Sequence, residues 1–129
     1  MTDPTASLLD LAQGVGVPIG DGRPPAGAYD AKGAPMKPHA ILYGGVGAPD
    51  DRRLPSVAAA RAHVWQLVVV NNNPAGVRLL ADRAVASIDG ERLAGGQLAT
   101  VEYVGPVLED RDDVTAYRWS CSLEIHATT

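Results

Sequence analysis

The stretch from Arg61 to Ile88, RAHVWQLVVVNNNPAGVRLLADRAVASI, decides the fold. Its first part, Arg61 to Val70, is apolar at both alternating sets of positions, which predicts a strand in the middle of a sheet. Asn73 and Pro74 favour a helix start, because asparagine accepts a first-turn amide and proline at the first helical position loses no hydrogen bond. An apolar stripe then follows at helical spacing, formed by Val77, Leu80, Ala81, Ala84, Val85 and Ile88. The stretch therefore predicts a central strand followed by a long helix.

Further strands are predicted on both sides of this stretch. His39 to Tyr43 precedes it and is expected to end at Gly44-Gly45, while Val17 to Ile19 is a weaker edge-strand candidate. Leu98 to Val104 and the alternating segment from Thr115 to Ile125 follow the helix. The side chains expected to face inward from these two are Ala99, Val101, Tyr103, Tyr117, Trp119, Cys121, Leu123 and Ile125.

The order of elements predicts an α+β fold. A short N-terminal helix is expected from Thr5 to Gly16, because Leu8, Leu11 and Ala12 share one side. We expect a two-layer sandwich, in which one long helix and this short helix pack on a mostly antiparallel sheet of four to five strands. Residues 1–129 are predicted to form a single domain. Its segments 17–38 and 44–60, rich in proline and glycine, are expected to be flexible.

Composition excludes several classes of function. The net charge is −4, and the eleven lysines and arginines are dispersed, whereas a nucleic-acid surface needs clustered phosphate contacts. The N-terminus lacks the basic and apolar regions of a signal peptide, and no apolar run approaches the roughly 20 residues of a membrane helix. The only cysteine, Cys121, has no partner within the chain, which favours a reducing cytoplasm. We expect a soluble protein that is not exported.

Motifs for catalysis or metal binding are weak. Gly14-x-Gly16 and Gly45-x-Gly47 do not complete a dinucleotide-binding motif. His63 beside Trp65 is expected to be a satisfied, partly buried imidazole, and Cys121 a small core residue. Three histidines lack the spacing of metal ligands, namely His39, His63 and His126. We predict no catalytic residue and no cofactor, and we expect that the protein is not an enzyme.

The charged run from Glu109 to Asp113 is the remaining candidate for a metal. Spaced carboxylates suit calcium or magnesium, but the run lacks the glycine and distal glutamate of an EF-hand loop. The pattern instead favours a solvated turn or an acidic contact patch, because so many charges are rarely buried together. No metal site is predicted.

The order and spacing of several pieces resemble the tail-terminator proteins of long-tailed bacteriophages, particularly those with actinobacterial hosts. The resemblance covers about the C-terminal two thirds of the chain. Its pieces are the strand Ile41–Gly44, a variable Gly/Asp/Pro loop, the strand Val64–Val69, the helix Leu79–Val85, the segment Val107–Asp113 and the Tyr117-Arg118 strand. The fold that the resemblance implies, a sheet flanked by helices, agrees with the one predicted from periodicity.

The resemblance also implies a function. It implies a homo-oligomer, typically a hexameric ring, that caps the tail tube protein and ends its polymerisation. The ring would join the tail to the head-neck connector (stopper) protein at the neck-proximal end of the virion, after assembly in the host cytoplasm. DNA would pass through it without specific binding, and no membrane would be involved. The alternatives are another head-tail connector or neck protein, a small hot-dog-type thioesterase, or a module whose Pro-rich segment docks on a partner.

Charged residues are the candidates for contacts between subunits. Arg52 and Arg53 would pair across an interface with aspartates of a neighbouring subunit. The candidate set is Asp50, Asp51, Arg52, Arg53, Asp110, Asp112 and Asp113. The alternative is that these charges only face water, because an exposed ion pair contributes little to stability.

Overall fold

The computed structural model describes residues 4–28, 37–49, 61–110 and 118–128. It contains the helices α1 (Pro4–Ala12) and α2 (Pro74–Ile88), and α1 is extended by a 3₁₀ turn at Gln13–Val15. The strands are β1 (Ile19–Asp21), β2 (His39–Pro49), β3 (Arg61–Asn71), β4 (Leu98–Val104), β5 (Leu108–Asp110) and β6 (Arg118–Thr128).

The strands form one six-stranded sheet in the order β1-β2-β3-β6-β4, in which β5 also pairs with β6. Only the β1–β2 pair is parallel among the pairs described. Since β3 and β4 flank β6 and are both antiparallel to it, they run in the same direction, and α2 connects them across β6. The strand that comes after all the others along the chain therefore lies inside the sheet.

Both helices pack on the same face of the sheet, which confirms the two-layer α+β fold. Their buried side chains are Leu8, Ala12, Val77, Leu80, Ala81, Ala84 and Ile88. The strands meet them with Ala40, Leu42, Trp65, Leu67, Val69, Ala99, Cys121, Leu123, Ile125 and Ala127. The alternation predicted for the strand that became β6 is confirmed, because Cys121, Leu123 and Ile125 are all buried.

The predicted start of α2 is also confirmed. The Asn73 side chain accepts a hydrogen bond from the Gly76 amide at 2.6 Å, and Pro74 occupies the first turn. After the helix, Gly90 adopts a φ of 81°, in the left-handed region that glycine occupies at little cost. The Asn73 cap therefore fixes where α2 begins, and Gly90 lets the chain turn away after the helix ends.

Two boundaries near the N-terminal half differ from the prediction. The strand β2 does not end at Gly44, because a register shift between Gly44 and Gly47 absorbs the irregularity and pairing with β3 resumes as far as Pro49. Part of the segment 44–60 is thus strand. The edge strand β1 begins at Ile19, two residues later than predicted, because the Pro18 carbonyl still accepts the Ala40 amide but proline has no amide to donate.

Two predictions near the C-terminal half are wrong. Tyr103 does not face inward, because a register shift between Val101 and Tyr103 brings it opposite Glu124, and 60% of it is exposed. Glu109 and Asp110 do not form a turn but belong to β5, where they pair with Trp119 and Arg118. This additional strand raises the number of strands above the expected four to five.

The strands β4 and β5 act as two pieces of one edge. The first pairs with the later part of β6 and the second with its beginning. Between them, the Gly105 amide donates to the Ser122 carbonyl at 2.8 Å. One side of β6 is therefore lined by β3 and the other by this interrupted edge strand.

Candidate interaction surface

The face of the sheet opposite the helices is partly covered by the chain that follows β1. A Cβ atom added to Gly20 would collide with the Arg23 carbonyl oxygen, so this part of the chain folds back against Gly20. Gly20 pairs with Ile41, which is buried although it lies outside the helix-packed core. Val70 and His39 are likewise buried on this face, opposite each other on β2 and β3.

A groove of about 560 Å³ lies on the rest of this face. Tyr43, Gln66, Glu124 and Tyr103 form a row across β2, β3, β6 and β4, each residue opposite the next. Strands are spaced by roughly 4.8 Å, so the Cα atoms of the two tyrosines are about 14 Å apart. Val64 lines the same groove. The two aromatic side chains therefore stand as walls on either side of a polar floor.

Among the described residues, most of the large apolar side chains that remain exposed lie on this face. They are Tyr43, Val64, Leu98, Tyr103 and Leu108. Two others lie elsewhere, Val104 on the helix side of the sheet edge and Leu79 on α2. Exposed apolar side chains grouped on one face of a protein are typical of sites where proteins associate. We call this surface the open sheet face. It extends from Leu98 across the groove to Leu108.

Two carboxylates, those of Glu124 and Glu102, add negative charge to the open sheet face. The Glu124 Oε1 and His126 Nε2 atoms are 2.5 Å apart, and 49% of the Glu124 side chain is exposed. On the neighbouring strand, the Thr100 hydroxyl donates to Glu102 Oε1 at 2.7 Å. Carboxylates next to apolar walls suit a partner that brings both an apolar side chain and a cation.

His63 lies on the helix side of the sheet, and the prediction that its imidazole is partly buried and hydrogen-bonded is confirmed. Its Nδ1 atom lies 3.3 Å from the Gly45 carbonyl oxygen, and its ring stacks on that of Trp65 with centroids 5.7 Å apart. The indole nitrogen of Trp65 in turn donates to the Thr5 hydroxyl at 3.0 Å. This cluster joins α1 to the sheet. The imidazole of His63 and the indole nitrogen of Trp65 each have a hydrogen-bond partner within the protein.

Two buried ionisable side chains of the described residues, Cys121 and His39, lie on opposite faces of the sheet. Cys121 faces the helices, where its thiol donates to the Gly105 carbonyl at 3.2 Å, and burial raises its pKa. His39 lies on the other face. Burial lowers its pKa, the hydrogen bond to the Lys37 carbonyl opposes this, and the charge of Arg118 lowers it further. Both environments favour the uncharged form, as expected for structural residues.

The charged residues singled out from the sequence fall mostly outside the described residues. This holds for Asp50, Asp51, Arg52, Arg53, Asp112 and Asp113, while Asp110 ends β5 and its side chain is outside the described part. Their attachment points are at opposite ends of the sheet: Pro49 pairs with Arg61 at one end of β3, and Asp110 pairs with Arg118 near the other. An 11-residue strand such as β3 spans roughly 33 Å.

Sequence reasoning did not single out the residues of the groove. Tyr43 ends a predicted strand, but the alternation of that strand does not show which of its faces the helices leave open. Tyr103 was assigned to the wrong face because a bulge shifts the period of β4 by one residue. Glu124 lies between Leu123 and Ile125 in the alternating segment, which predicts an outward side chain but indicates no partner for it.

Within residues 4–28, 37–49, 61–110 and 118–128, no three His, Cys, Asp or Glu side chains gather closely enough to hold a metal ion. None of the helices in this described part is long and apolar enough to cross a membrane. A comparison with protein-family profiles found no family that matches the sequence, and a search of curated proteins found no match either.

Proposed function

We propose that this protein is a structural subunit of a bacteriophage tail, which forms a ring at the neck-proximal end of the tail tube. In this role it ends tube polymerisation and joins the tail to the head-neck connector. Support comes from the order of sequence elements from Ile41 to Arg118, which resembles that of tail terminators, and from the α+β sandwich of a sheet with helices.

The observation that carries the proposal is the open sheet face. A monomer leaves Tyr43, Val64 and Tyr103 in contact with water around a groove whose two tyrosine walls have Cα atoms about 14 Å apart. Burying such side chains contributes roughly 25 cal/mol for each Å² removed from water, which favours association. A ring subunit needs apolar surface of this kind, because each copy must bind at least one neighbour and the tube.

The points at which the two charged segments join the sheet are compatible with contacts between copies. The segments that carry Arg52 and Arg53 and that carry Asp112 and Asp113 leave the sheet at opposite ends. A neighbour that meets one end with its other end would bring opposite charges together. Such pairs contribute little to affinity at an exposed rim, but they steer association and fix orientation.

A role other than catalysis is part of the proposal. The thiol of Cys121, the strongest nucleophile in the sequence, is buried with a raised pKa, and His39 lies on the opposite face. A net charge of −4 is compatible with a conduit through which DNA passes without specific binding.

Electron microscopy tests the proposal directly. The purified protein is imaged at rising concentration, alone and mixed with purified tail tubes. We expect rings with a central hole and caps on tube ends, together with tubes that stop elongating when the protein is added. Particles that never form rings and never bind a tube would contradict the proposal.

Two controls separate the alternatives. A connector or neck protein would form rings but would bind the head-proximal partner without capping bare tubes. A hot-dog-type thioesterase would hydrolyse acyl-thioesters, so the same preparation is assayed with short-chain and long-chain substrates. Turnover that Glu124→Gln removes while the fold remains intact would favour the enzyme.

A further inference from the structure

We propose that the open sheet face of one subunit binds the outward side of α2 of a second copy. The inference rests on the proposed ring and deepens it, because it names the two surfaces that meet at each contact. Leu79 of one copy enters the groove of the next between Tyr43 and Tyr103, against Val64. The arginines that flank Leu79 then approach Glu124.

The outward side of α2 has the shape and the anchor that the groove requires. An α-helix with its side chains is roughly 10–12 Å across, which fits between walls whose Cα atoms are about 14 Å apart. Leu79 is 50% exposed, whereas Val77, Leu80 and Ile88 of the same helix are buried in the core. An apolar anchor on an exposed helix face that enters a groove is a common recognition mode.

The charges of the two surfaces complement each other. Arg78 precedes Leu79 and Arg83 lies one turn further along α2, with Asp82 beside it, so this side of the helix carries a net positive charge. The floor of the groove carries Glu124, which is half exposed and paired with His126. Positive potential on one surface facing negative potential on the other favours this orientation.

The contact uses two different surfaces on every copy, one on each side of the molecule. The helix layer covers one face of the sheet and the groove lies on the other, so a bound copy still offers a free groove or a free helix. Contacts of this heterologous type continue from copy to copy and close into a ring when the rotation permits. Head-to-tail binding therefore supplies the repeated contact that a ring requires.

The inference is tested by introducing opposite charges on the two contacting surfaces. Val64→Arg places a cation opposite the arginines of the neighbouring α2, and Leu79→Glu places an anion opposite Glu124. Each single variant is expected to weaken assembly at least tenfold, measured by sedimentation velocity and by counting rings. The double variant brings the new cation and anion together at every contact, and we expect it to recover most of the assembly.

Val104→Arg is the matched control. Val104 is 46% exposed and Val64 is 44% exposed, but Val104 lies on the helix side of the sheet edge. The same change there is expected to leave assembly unaltered. Far-UV circular dichroism and urea unfolding check that every variant is folded, and the pairwise rescue cannot arise from a folding defect.

Cross-linking provides a second measurement. Val64→Cys and Leu79→Cys proteins, each in a Cys121→Ser background, are mixed and oxidised. A cross-linked dimer is expected only when both are present. Rings that survive Val64→Arg and Leu79→Glu would overturn the inference and leave the proposed ring standing. A wild-type protein that never self-associates, alone or on tubes, would overturn both.

Discussion

At Gly45 the sheet and α1 approach so closely that no side chain fits. Its φ of 95° lies in the region that favours glycine. A Cβ atom there would lie 2.5 Å from the Trp65 indole nitrogen and would also collide with the Thr5 hydroxyl. The sequence marked Gly45 as a strand end. The contact that requires glycine depends on Thr5, which is 60 residues from Trp65 along the chain, and no local pattern encodes it.

Gly45→Ala is expected to destabilise the protein more than Gly90→Ala does. Both changes impose left-handed strain of about 1–2 kcal/mol, because both glycines have positive φ. At Gly90 a Cβ meets nothing within 4 Å, whereas at Gly45 it breaks the hydrogen bond of the buried Trp65, which costs a further 1–3 kcal/mol or so. Urea unfolding of both variants gives the difference, and equal losses would contradict this account.

His39 makes stability depend on pH in a defined direction. Burial lowers its pKa in the folded protein, while the unfolded chain has the ordinary value near ~6.5. Below the unfolded value the unfolded state binds more protons, so the free energy of unfolding falls as the pH drops from about 6.5 towards the folded pKa. Urea unfolding between pH 7.5 and pH 5.5 is expected to show this loss. His39→Gln should flatten it, and parallel curves for the two proteins would exclude the assignment.

At the level of elements, the sequence was sufficient wherever one face of a periodic segment is buried. The helix α2 and the strands β3 and β6 lie close to their predicted bounds, because their apolar stripes are long and their ends carry turn residues. The short strand β5 was missed because Glu109 and Asp110 are charged, and only pairing with β6 makes them a strand. Edge position permits this, since an edge strand can direct its charges to water.

The N-cap of α2 is an element whose contribution can be measured. Asn73→Ala removes the acceptor of the Gly76 amide and is expected to lower the free energy of unfolding by about 1 kcal/mol. Asn73→Asp keeps the acceptor and should retain nearly all of it. Asn72→Ala is the matched control, because Asn72 lies outside the helix and its side-chain oxygen accepts from the exposed side-chain amide of Asn73. Equal effects at positions 72 and 73 would show that the cap is not the cause.

At the scale of the whole molecule, the fold class followed from the order of elements but the candidate site did not. The groove is assembled from β2, β3, β6 and β4, which are distant in sequence. Periodicity separates the two faces of each strand. It does not show which face the helices will cover, and that choice decides whether Tyr43 and Glu124 are core or surface.

Cys121 reports on the opening of the whole molecule. It lies on β6 between β3 and the β4–β5 edge, under the helix layer, and burial raises its pKa. We expect alkylation in native buffer to be at least a hundredfold slower than in urea, with a denaturant dependence equal to that of global unfolding. A Val64→Cys variant in a Cys121→Ser background should react at once. Fast labelling of Cys121 in native buffer would show local opening of this edge.

Because β6 lies inside the sheet, the sheet cannot be completed on the ribosome until this strand has been synthesised. The strands β3 and β4 are synthesised before β6, so the place between them stays vacant until residues 118–128 emerge. At roughly 5–20 residues per second, the inner edge of β3 waits several seconds with its backbone unpaired. Nascent chains on neighbouring ribosomes have the same unpaired edge of β3 and also still lack β6. Rapid overexpression should therefore favour strand exchange and inclusion bodies, and slower translation should increase the yield of folded protein.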